Sequence, residues 1–228
     1  MQKSWNFGIG FLVLFSMGLP GYAQEGGWAG PLPDTSAVHL VPDLRPALVE
    51  LEKGNTGSAI VALREVVRLH ENHIQALRLL ASAYLRIEDY DQALEICRKI
   101  AALDSSDVNT KVALGYLYQK LNNLSMSEQH YQSARQMRPD LIQVYQGLGW
   151  IYLQTGRLED ALKMVSETTT RAPNYAPNYI LQGRVLMAQG LFEEAAIAYN
   201  RAFALQSSLR EEYGILLQEL GLRHRVGH

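Results

Sequence analysis

The chain has 228 residues, 47% of them hydrophobic, and a formal net charge of −2 from 21 Lys and Arg against 23 Asp and Glu. This composition suits a folded, water-soluble body, and the charges form no block of five or six of one sign. Neither nucleic acid nor an anionic membrane is therefore indicated as a general partner. Cys97 is the single cysteine, so an intrachain disulfide is excluded.

The first 23 residues have the order of a secretory signal peptide. Lys3 gives a weak positive start, residues 7–15 are apolar with only glycine as interruption, and residues 21–23 form a small-x-small cleavage site. We predict cleavage after Ala23 and export, in a bacterium to the periplasm, with no membrane span left after cleavage. The alternative is an uncleaved anchor, but the 15 residues of 5–19 are fewer than the roughly 20 that span a bilayer.

The next segment, residues 24–39, is rich in Gly and Pro and has no sustained period. Such a composition favours an extended, mobile chain over a packed element. We predict a flexible tether between the signal peptide and the folded part.

From residue 40 onward a small residue recurs with a 34-residue period. The series is Ala59, Ala93, Ser127, Ala161 and Ala195, and twelve positions before each stand Ala47, Ala81, Gly115, Gly149 and Gly183. A fixed period of this length is the signature of a solenoid, in which each unit buries its apolar face against its neighbours. We predict five repeats, at 40–73, 74–107, 108–141, 142–175 and 176–209.

The fourth repeat shows what each unit contains. Apolar or small residues follow three-and-four spacing over 145–152 and again over 158–165, which predicts two helices. Gly156 suits the left-handed residue that ends the first helix, and Pro173 ends the second. Each unit is thus predicted to be helix, turn, helix.

Small residues are expected to set the distance between the paired helices. Gly149 is predicted to lie opposite Ala161, where a larger side chain would hold the two backbones apart. After the fifth repeat, residues 210–228 supply one more amphipathic helix and a tail, whose charged side chains would close the stack in water.

These units resemble the tetratricopeptide repeat (TPR), with its bulky position, Leu-Gly, Tyr, Ala, bulky residue, Ala and Pro at set offsets. The third repeat carries the match through Leu114, Gly115, Tyr118, Ser127, Tyr131, Ala134 and Pro139. The first repeat departs from the pattern at Asp43 and Pro46 and is interpreted as degenerate or capping. The resemblance implies an all-α fold: a right-handed α-solenoid of about five TPR repeats plus a C-terminal capping helix.

Motifs that carry catalysis are absent from the sequence. It has no Gly-rich phosphate loop, no G-x-S-x-G elbow and no H-E-x-x-H. His70 and His73 have a metal-like spacing but lack identifiable third and fourth ligands. Cys97 stands at a core position of a second helix and is predicted to be buried and unreactive. We predict a protein that is not an enzyme and uses no cofactor or metal.

In TPR proteins the first helices line a concave groove, and the resemblance assigns six positions of each first helix to it. Of these thirty positions, five are basic and one is acidic, in a chain with more acids than bases. The bias predicts a protein or peptide partner with apolar and acidic groups. The candidate binding residues are Arg78, Ser82, Arg86, Val112, Tyr116, Gln119, Lys120, Gln146, Trp150, Leu153, Ile180, Arg184 and Met187.

Two aromatic residues stand out among these candidates. Tyr116 and Trp150 occupy the same position in adjacent repeats and are predicted to project into the groove, since exposed amphipathic rings are typical binding anchors. The alternative is that they pack against neighbouring helices. The family's clamp for chaperone tails uses Lys and Asn where this chain has Leu44 and Leu48, which disfavours that ligand class.

The resemblance implies an adaptor or scaffold that binds a partner segment in the groove. Exported proteins of this kind commonly act in assembly of cell-envelope complexes, such as pili, secretion channels or polysaccharide export machinery. Two alternatives stay open: a homo-oligomeric scaffold built from copies of this chain, and an accessory subunit of an envelope enzyme.

Overall fold

The structure is a computed structural model that describes residues 42–211, 213 and 214. The predicted signal peptide (1–23) and tether (24–39) lie outside the described residues, and so does most of the predicted capping segment. Within that segment, 210, 211, 213 and 214 are described and are helical. The chain divides between Leu121 and Asn122 into two compact units, a boundary that falls between the two helices of the third repeat.

The described residues of the first unit, 42–121, form five helices. They are α1 (Arg45–Glu52), α2 (Thr56–Leu69), α3 (Ile74–Arg86), α4 (Tyr90–Leu103) and α5 (Val108–Lys120). Consecutive helices of this unit pack against each other. The core between them contains Leu63, Leu77 and Ile100, which are buried.

The second unit repeats the same arrangement. Its helices are α6 (Leu124–Met137), α7 (Ile142–Gln154), α8 (Leu158–Arg171), α9 (Ala176–Ala188) and α10 (Phe192–Leu205). Consecutive helices again pack together, and α7 also contacts α9. The last helix of the fourth repeat ends at Arg171, two residues before Pro173, as predicted.

The turn within each repeat contains one residue with a left-handed backbone, always at the same 34-residue spacing. The φ angle is +79° at Gly54, +59° at Glu88, +58° at Asn122, +74° at Gly156 and +79° at Gly190. Glycine adopts this conformation without steric cost and asparagine tolerates it, whereas at Glu88 it costs about 1–2 kcal/mol. The prediction for Gly156 is confirmed, and the helix-turn-helix unit recurs in all five repeats.

Glycines on the first helices permit a close approach by tyrosines of second helices. A Cβ at Gly147 would overlap Cζ of Tyr131, and a Cβ at Gly183 would lie 2.7 Å from Cζ of Tyr199. Both tyrosines are fully buried. Each ring therefore occupies the space that a side chain at the glycine would need.

The atoms nearest to Gly149 are not those of Ala161, the residue predicted to lie opposite it. A Cβ at this position would meet Cδ2 of Leu181 at 2.8 Å and Cβ of Met164 at 3.3 Å, so these residues, rather than Ala161, are its nearest neighbours. Leu181 belongs to α9, the first helix of the next repeat. The small residue at this position thus allows α7 to approach both its own second helix and the following repeat.

We expect Gly183→Ala to lower the free energy of unfolding by about 1–3 kcal/mol, because the buried Tyr199 ring must shift to admit the methyl group. Urea unfolding followed by circular dichroism measures this. Gly57→Ala is the matched control: a Cβ there meets nothing within 4 Å, and the helical preference for alanine favours a gain of up to about 1 kcal/mol. Equal stability of the two variants would contradict the packing.

Cys97 gives a chemical test of the first unit's core. It is buried, as predicted, and burial raises the pKa of its thiol to about 12. Since the thiolate is the reactive form, we expect the native protein to react with an aromatic disulfide reagent at pH 8 at least about a hundredfold more slowly than the urea-unfolded chain. Above the ordinary thiol pKa of about 8.5 the unfolded chain loses this proton, whereas the folded state keeps it. The free energy of unfolding therefore falls as the pH rises above about 8.5. Similar native and unfolded rates would show that α4 does not bury the thiol.

Candidate protein-interaction surface

The first helices of the fourth and fifth repeats, α7 and α9, bring an aromatic ring and a cation together. The guanidinium carbon of Arg184 lies 5.4 Å from the ring centroid of Trp150 and 5.6 Å from that of Tyr213. A planar guanidinium is attracted to the faces of aromatic rings and is held in place by them. Trp150 and Arg184 are partly exposed, whereas Tyr213 is buried.

Two further candidates lie one helical turn along the same helices. Leu153 follows Trp150 by three residues in α7, and Met187 follows Arg184 by three in α9, so each shares a face with its neighbour. Both are partly exposed, and Sδ of Met187 accepts a hydrogen bond from the Tyr199 hydroxyl at 3.2 Å. We call Trp150, Leu153, Arg184 and Met187 the α7–α9 face. It combines apolar surface with one positive charge.

Gln146 and Ile180 were predicted to line the groove, but the structure buries both of them. Their exposed fractions are 4% and 3%. Ile180 belongs to a core cluster that also contains Tyr199 and Phe203. Gln146 instead takes part in a buried hydrogen-bond network. Packing within the second unit therefore removes these two residues from the surface available to a partner.

The buried network centres on Asn178, which the sequence analysis did not single out. Its Oδ1 accepts a hydrogen bond from Nε2 of Gln146 at 2.7 Å, and its Nδ2 donates to the carbonyl oxygens of Thr168 at 2.8 Å and Ala172 at 3.0 Å. Asn178 links three helices in this way: α7, the end of α8 and α9. The sequence did contain a signal for this residue. The equivalent position of the previous repeat holds the apolar Val144, so a polar Asn178 departs from the repeat pattern at a core position.

In the first unit, Tyr116 is buried, with 5% of its surface exposed, which matches the alternative interpretation that it packs against neighbouring helices. Its ring meets that of Tyr90 edge-on, with centroids 6.5 Å apart. Nζ of Lys120 lies 5.5 Å from the centroid of Tyr116 and 5.6 Å from that of Tyr90. Burial lowers the pKa of Lys120, an effect that the nearby Glu88 carboxylate opposes.

Two basic groove residues form ion pairs with other described residues. Arg78 Nη2 lies 2.7 Å from Oδ2 of Asp107, and Arg45 Nε lies 2.8 Å from Oδ1 of Asp43. Asp107 also caps α5, because its Oδ1 accepts a hydrogen bond from the backbone N–H of Asn109 at 3.0 Å. The charge that the first unit offers to an acidic partner is therefore smaller than the sequence predicted.

The remaining candidates of the first unit lie on α3 and α5. Ser82, Val112 and Gln119 are half-buried, and Arg86 is exposed at the end of α3. Arg86 has no ion pair among residues 42–211, 213 and 214. These residues supply polar surface, and the aromatic-cation contact of α5, between Lys120 and Tyr116, involves a buried ring, unlike the partly exposed Trp150 of α7.

Tyrosines at equivalent positions of α7 and α9 connect successive repeats. The hydroxyl of Tyr145 donates to the carbonyl oxygen of Pro139 at 2.8 Å, and that of Tyr179 donates to Pro173 at 2.7 Å. The Arg171 guanidinium lies 4.5 Å from the Tyr145 centroid and also donates to Pro139 at 2.6 Å. The 34-residue spacing of the two tyrosines was visible in the sequence, but their carbonyl partners were not.

The part of the chain that the structure describes contains no group of three His, Cys, Asp or Glu side chains that could hold a metal ion. Instead, Nδ1 of His73 accepts a hydrogen bond from the backbone N–H of Ala76 at 3.1 Å and caps α3. Among the described helices, none has the length and apolar character needed to cross a membrane.

These features define a helical-repeat protein. Tetratricopeptide repeat models match residues 50–113, 127–182 and 176–208. The chain belongs to the tetratricopeptide repeat family, whose members generally mediate protein–protein interaction. The prediction of an α-solenoid of TPR repeats is confirmed.

The chain is similar to parts of much longer curated proteins. It is 23% identical over 147 residues to BBSome complex member BBS4 of Bos taurus, which covers 64% of this chain and 28% of the relative. It is 30% identical over 105 residues to protein O-mannosyl-transferase TMTC1 of Homo sapiens, covering 46% of this chain and 12% of the relative. The chain thus spans less than a third of either protein.

Solved structures share the fold at low sequence identity. MamA has a TM-score of 0.63 at 21% identity, covering 75% of this chain and 92% of that one. TTC0263 of Thermus thermophilus has a TM-score of 0.63 at 16% identity, covering 77% and 97%. YrrB, a TPR protein with an unusual peptide-binding site, has a TM-score of 0.58 at 17% identity, covering 71% and 83%. At these identities the likeness establishes the fold alone.

We expect Asn178→Ala to lower the free energy of unfolding by about 2–3 kcal/mol, because it leaves the buried Gln146 amide without its acceptor and opens a small cavity. Thermal and urea unfolding measure the loss. Asn174→Ala, at an exposed asparagine of the preceding loop, should change stability by less than about 0.5 kcal/mol. Unchanged stability of Asn178→Ala would mean that the network does not hold the three helices together.

Proposed function

We propose that this protein is a non-enzymatic adaptor that binds a segment of a partner protein on the α7–α9 face. The observation that carries the proposal is the partly exposed cation–π pair of Trp150 and Arg184, in which the guanidinium carbon lies 5.4 Å from the ring centroid. Tryptophan and arginine are enriched among the residues that dominate binding energy at protein interfaces. Membership of the tetratricopeptide repeat family supports the same class of function.

The chemistry of this face specifies the kind of segment it would bind. The Arg184 guanidinium lies beside the rings of Trp150 and Tyr213, so it loses little conformational entropy when a ligand binds. Its N–H groups suit a carboxylate. Leu153 and Met187 offer apolar surface, and the flexible thioether of methionine adapts to different side chains. The proposed ligand is an extended or helical segment with apolar side chains next to an Asp or Glu. YrrB, which shares the fold, has a peptide-binding site, and a peptide is the same class of ligand.

The proposed setting is the bacterial cell envelope. This part of the proposal rests on the signal-like order of residues 1–23, from which we infer cleavage after Ala23 and a periplasmic location. An exported repeat protein without catalytic motifs suits the assembly of a multi-protein complex, such as a pilus, a secretion channel or polysaccharide export machinery. The adaptor would then hold one component of that complex through the α7–α9 face.

The test is quantitative capture of partners from a bacterial envelope extract by the tagged protein, analysed by mass spectrometry. We expect Trp150→Ala and Arg184→Glu each to reduce capture of the same protein at least about tenfold, since a central interface residue contributes about 1.4 kcal/mol or more. Lys163→Glu is the control, because Lys163 is an exposed cation of α8, outside the α7–α9 face.

Circular dichroism of each variant must show native helix content for the comparison to apply. Capture by Trp150→Ala equal to that of the unaltered protein contradicts the assignment of this face. Loss of capture in Lys163→Glu as well would place binding elsewhere on the second unit. Salt should weaken capture by the unaltered protein more than by Arg184→Glu, because the latter has already lost the charge contact.

A further inference from the structure

The first unit contains an open depression of about 570 Å³ that no part of the proposed function uses. It lies beside α2 and the turn between α3 and α4. Its lining residues are Gly57, Ile60, Arg64, Tyr84, Ile87, Asp89 and Gln92. Ile60 and Tyr84 are buried, Ile87 is about half exposed, and Gly57 leaves open space because a Cβ there would meet nothing within 4 Å. The depression therefore offers an apolar floor that an incoming side chain could reach.

The lining also carries one charge of each sign. Arg64 follows Ile60 by four residues in α2, so the cation and the apolar side chain share one face of the helix. Arg64 forms no hydrogen bond or ion pair with any other residue that the structure describes. Asp89 supplies the negative charge, and its Oδ1 accepts one hydrogen bond, from the backbone N–H of Gln92 at 3.2 Å. A matching surface would present an acid, an apolar side chain and a base.

Helix α10 of the second unit has this order on its exposed side. Ile197 is 70% exposed, far more than the other large exposed hydrophobic side chains of that unit, Met137 at 40% and Leu191 at 43%. Glu194 precedes it by three residues and Arg201 follows it by four, so all three lie on one face of the helix. Glu194 and Arg201 are exposed, and the Arg201 guanidinium lies 5.8 Å from the Tyr179 ring centroid.

We infer that α10 of one copy docks into the α2 depression of a second copy. Ile197 would enter the apolar floor, with Glu194 facing Arg64 and Arg201 facing Asp89. The contact joins two different surfaces, so it is heterologous and links copies head to tail. This inference does not rest on the proposed adaptor function, because none of its residues belongs to the α7–α9 face.

The contact is small and should be weak. One helix face seated in one depression buries less surface than the roughly 1,200 Å² of a stable interface. Sedimentation velocity of the 228-residue chain, from roughly micromolar to near-millimolar concentration, should therefore show a mass that rises with concentration. Both contact surfaces are water-exposed, so added salt should weaken the association.

Charge reversal provides the decisive test. Arg64→Glu and Glu194→Arg each place like charges opposite one another and should weaken self-association at least about tenfold. The double variant Arg64→Glu/Glu194→Arg again places opposite charges at the two positions, now with the signs exchanged. The dissociation constant of its self-association should return to within about threefold of the original value. A structural defect would not be repaired by a second reversal in the other unit.

An apolar pair of variants provides an independent control. Ile197→Asn should weaken self-association at least about fivefold, whereas Leu69→Asn, at a side chain 60% exposed near the end of α2, should leave it unchanged. A chain that stays monomeric at all concentrations overturns the inference. Failure of the double reversal to restore association, or equal association of all variants through some other segment, overturns it as well.

Discussion

Within each of the two units, consecutive described helices pack closely against each other, and buried small residues permit that close approach. The small residues that recur with the 34-residue period on the second helices, Ala59, Ala93, Ser127, Ala161 and Ala195, are all fully buried. Glycines of the first helices have the same effect. The ring of Tyr131 occupies the space that a side chain at Gly147 would need, so only glycine lets the two helices approach this closely. A solenoid has no other core, so each repeat is stable only through these contacts with its neighbours.

The same contacts restrict where a partner can bind. Side chains on the first helices serve both the packing between repeats and the surface, and packing takes several of those that a family comparison assigns to binding. Arg78 neutralises the capping carboxylate of Asp107, and Gln146 satisfies the buried Asn178 amide. Because an unpaired buried polar group is costly, a ligand at these two residues would have to replace the contacts that they make within the chain. On the α7–α9 face, by contrast, Trp150 and Arg184 stay partly exposed, with the guanidinium carbon 5.4 Å from the ring centroid.

The sequence predicted the fold well because periodicity determines which positions are buried. A 34-residue period with small residues and turn residues at set offsets was enough to place the ten helices found between residues 45 and 205 and the left-handed Gly156. It could not predict pairs of side chains between first helices, since these depend on how two helices rotate and shift against one another. Arg78 on α3 pairs with the residue that caps α5, and Gly149 on α7 meets Leu181 on α9. The predicted exposure of Tyr116 was also wrong, because its ring is buried, meets Tyr90 of the second helix α4 edge-on and lies beside Lys120 of its own helix.

The central functional claim is that partner binding takes place on the α7–α9 face, and site-specific photo-crosslinking tests it most directly. A photoreactive amino acid would replace Leu153, which lies one helical turn from Trp150 on the same face, in one version of the full chain, and Lys163, on the exposed side of α8, in another. Irradiation of intact cells should give a crosslink to a specific second protein from position 153 and none from position 163. Crosslinks of equal yield from both positions, or only to further copies of the chain from position 153, would contradict binding of a partner on this face.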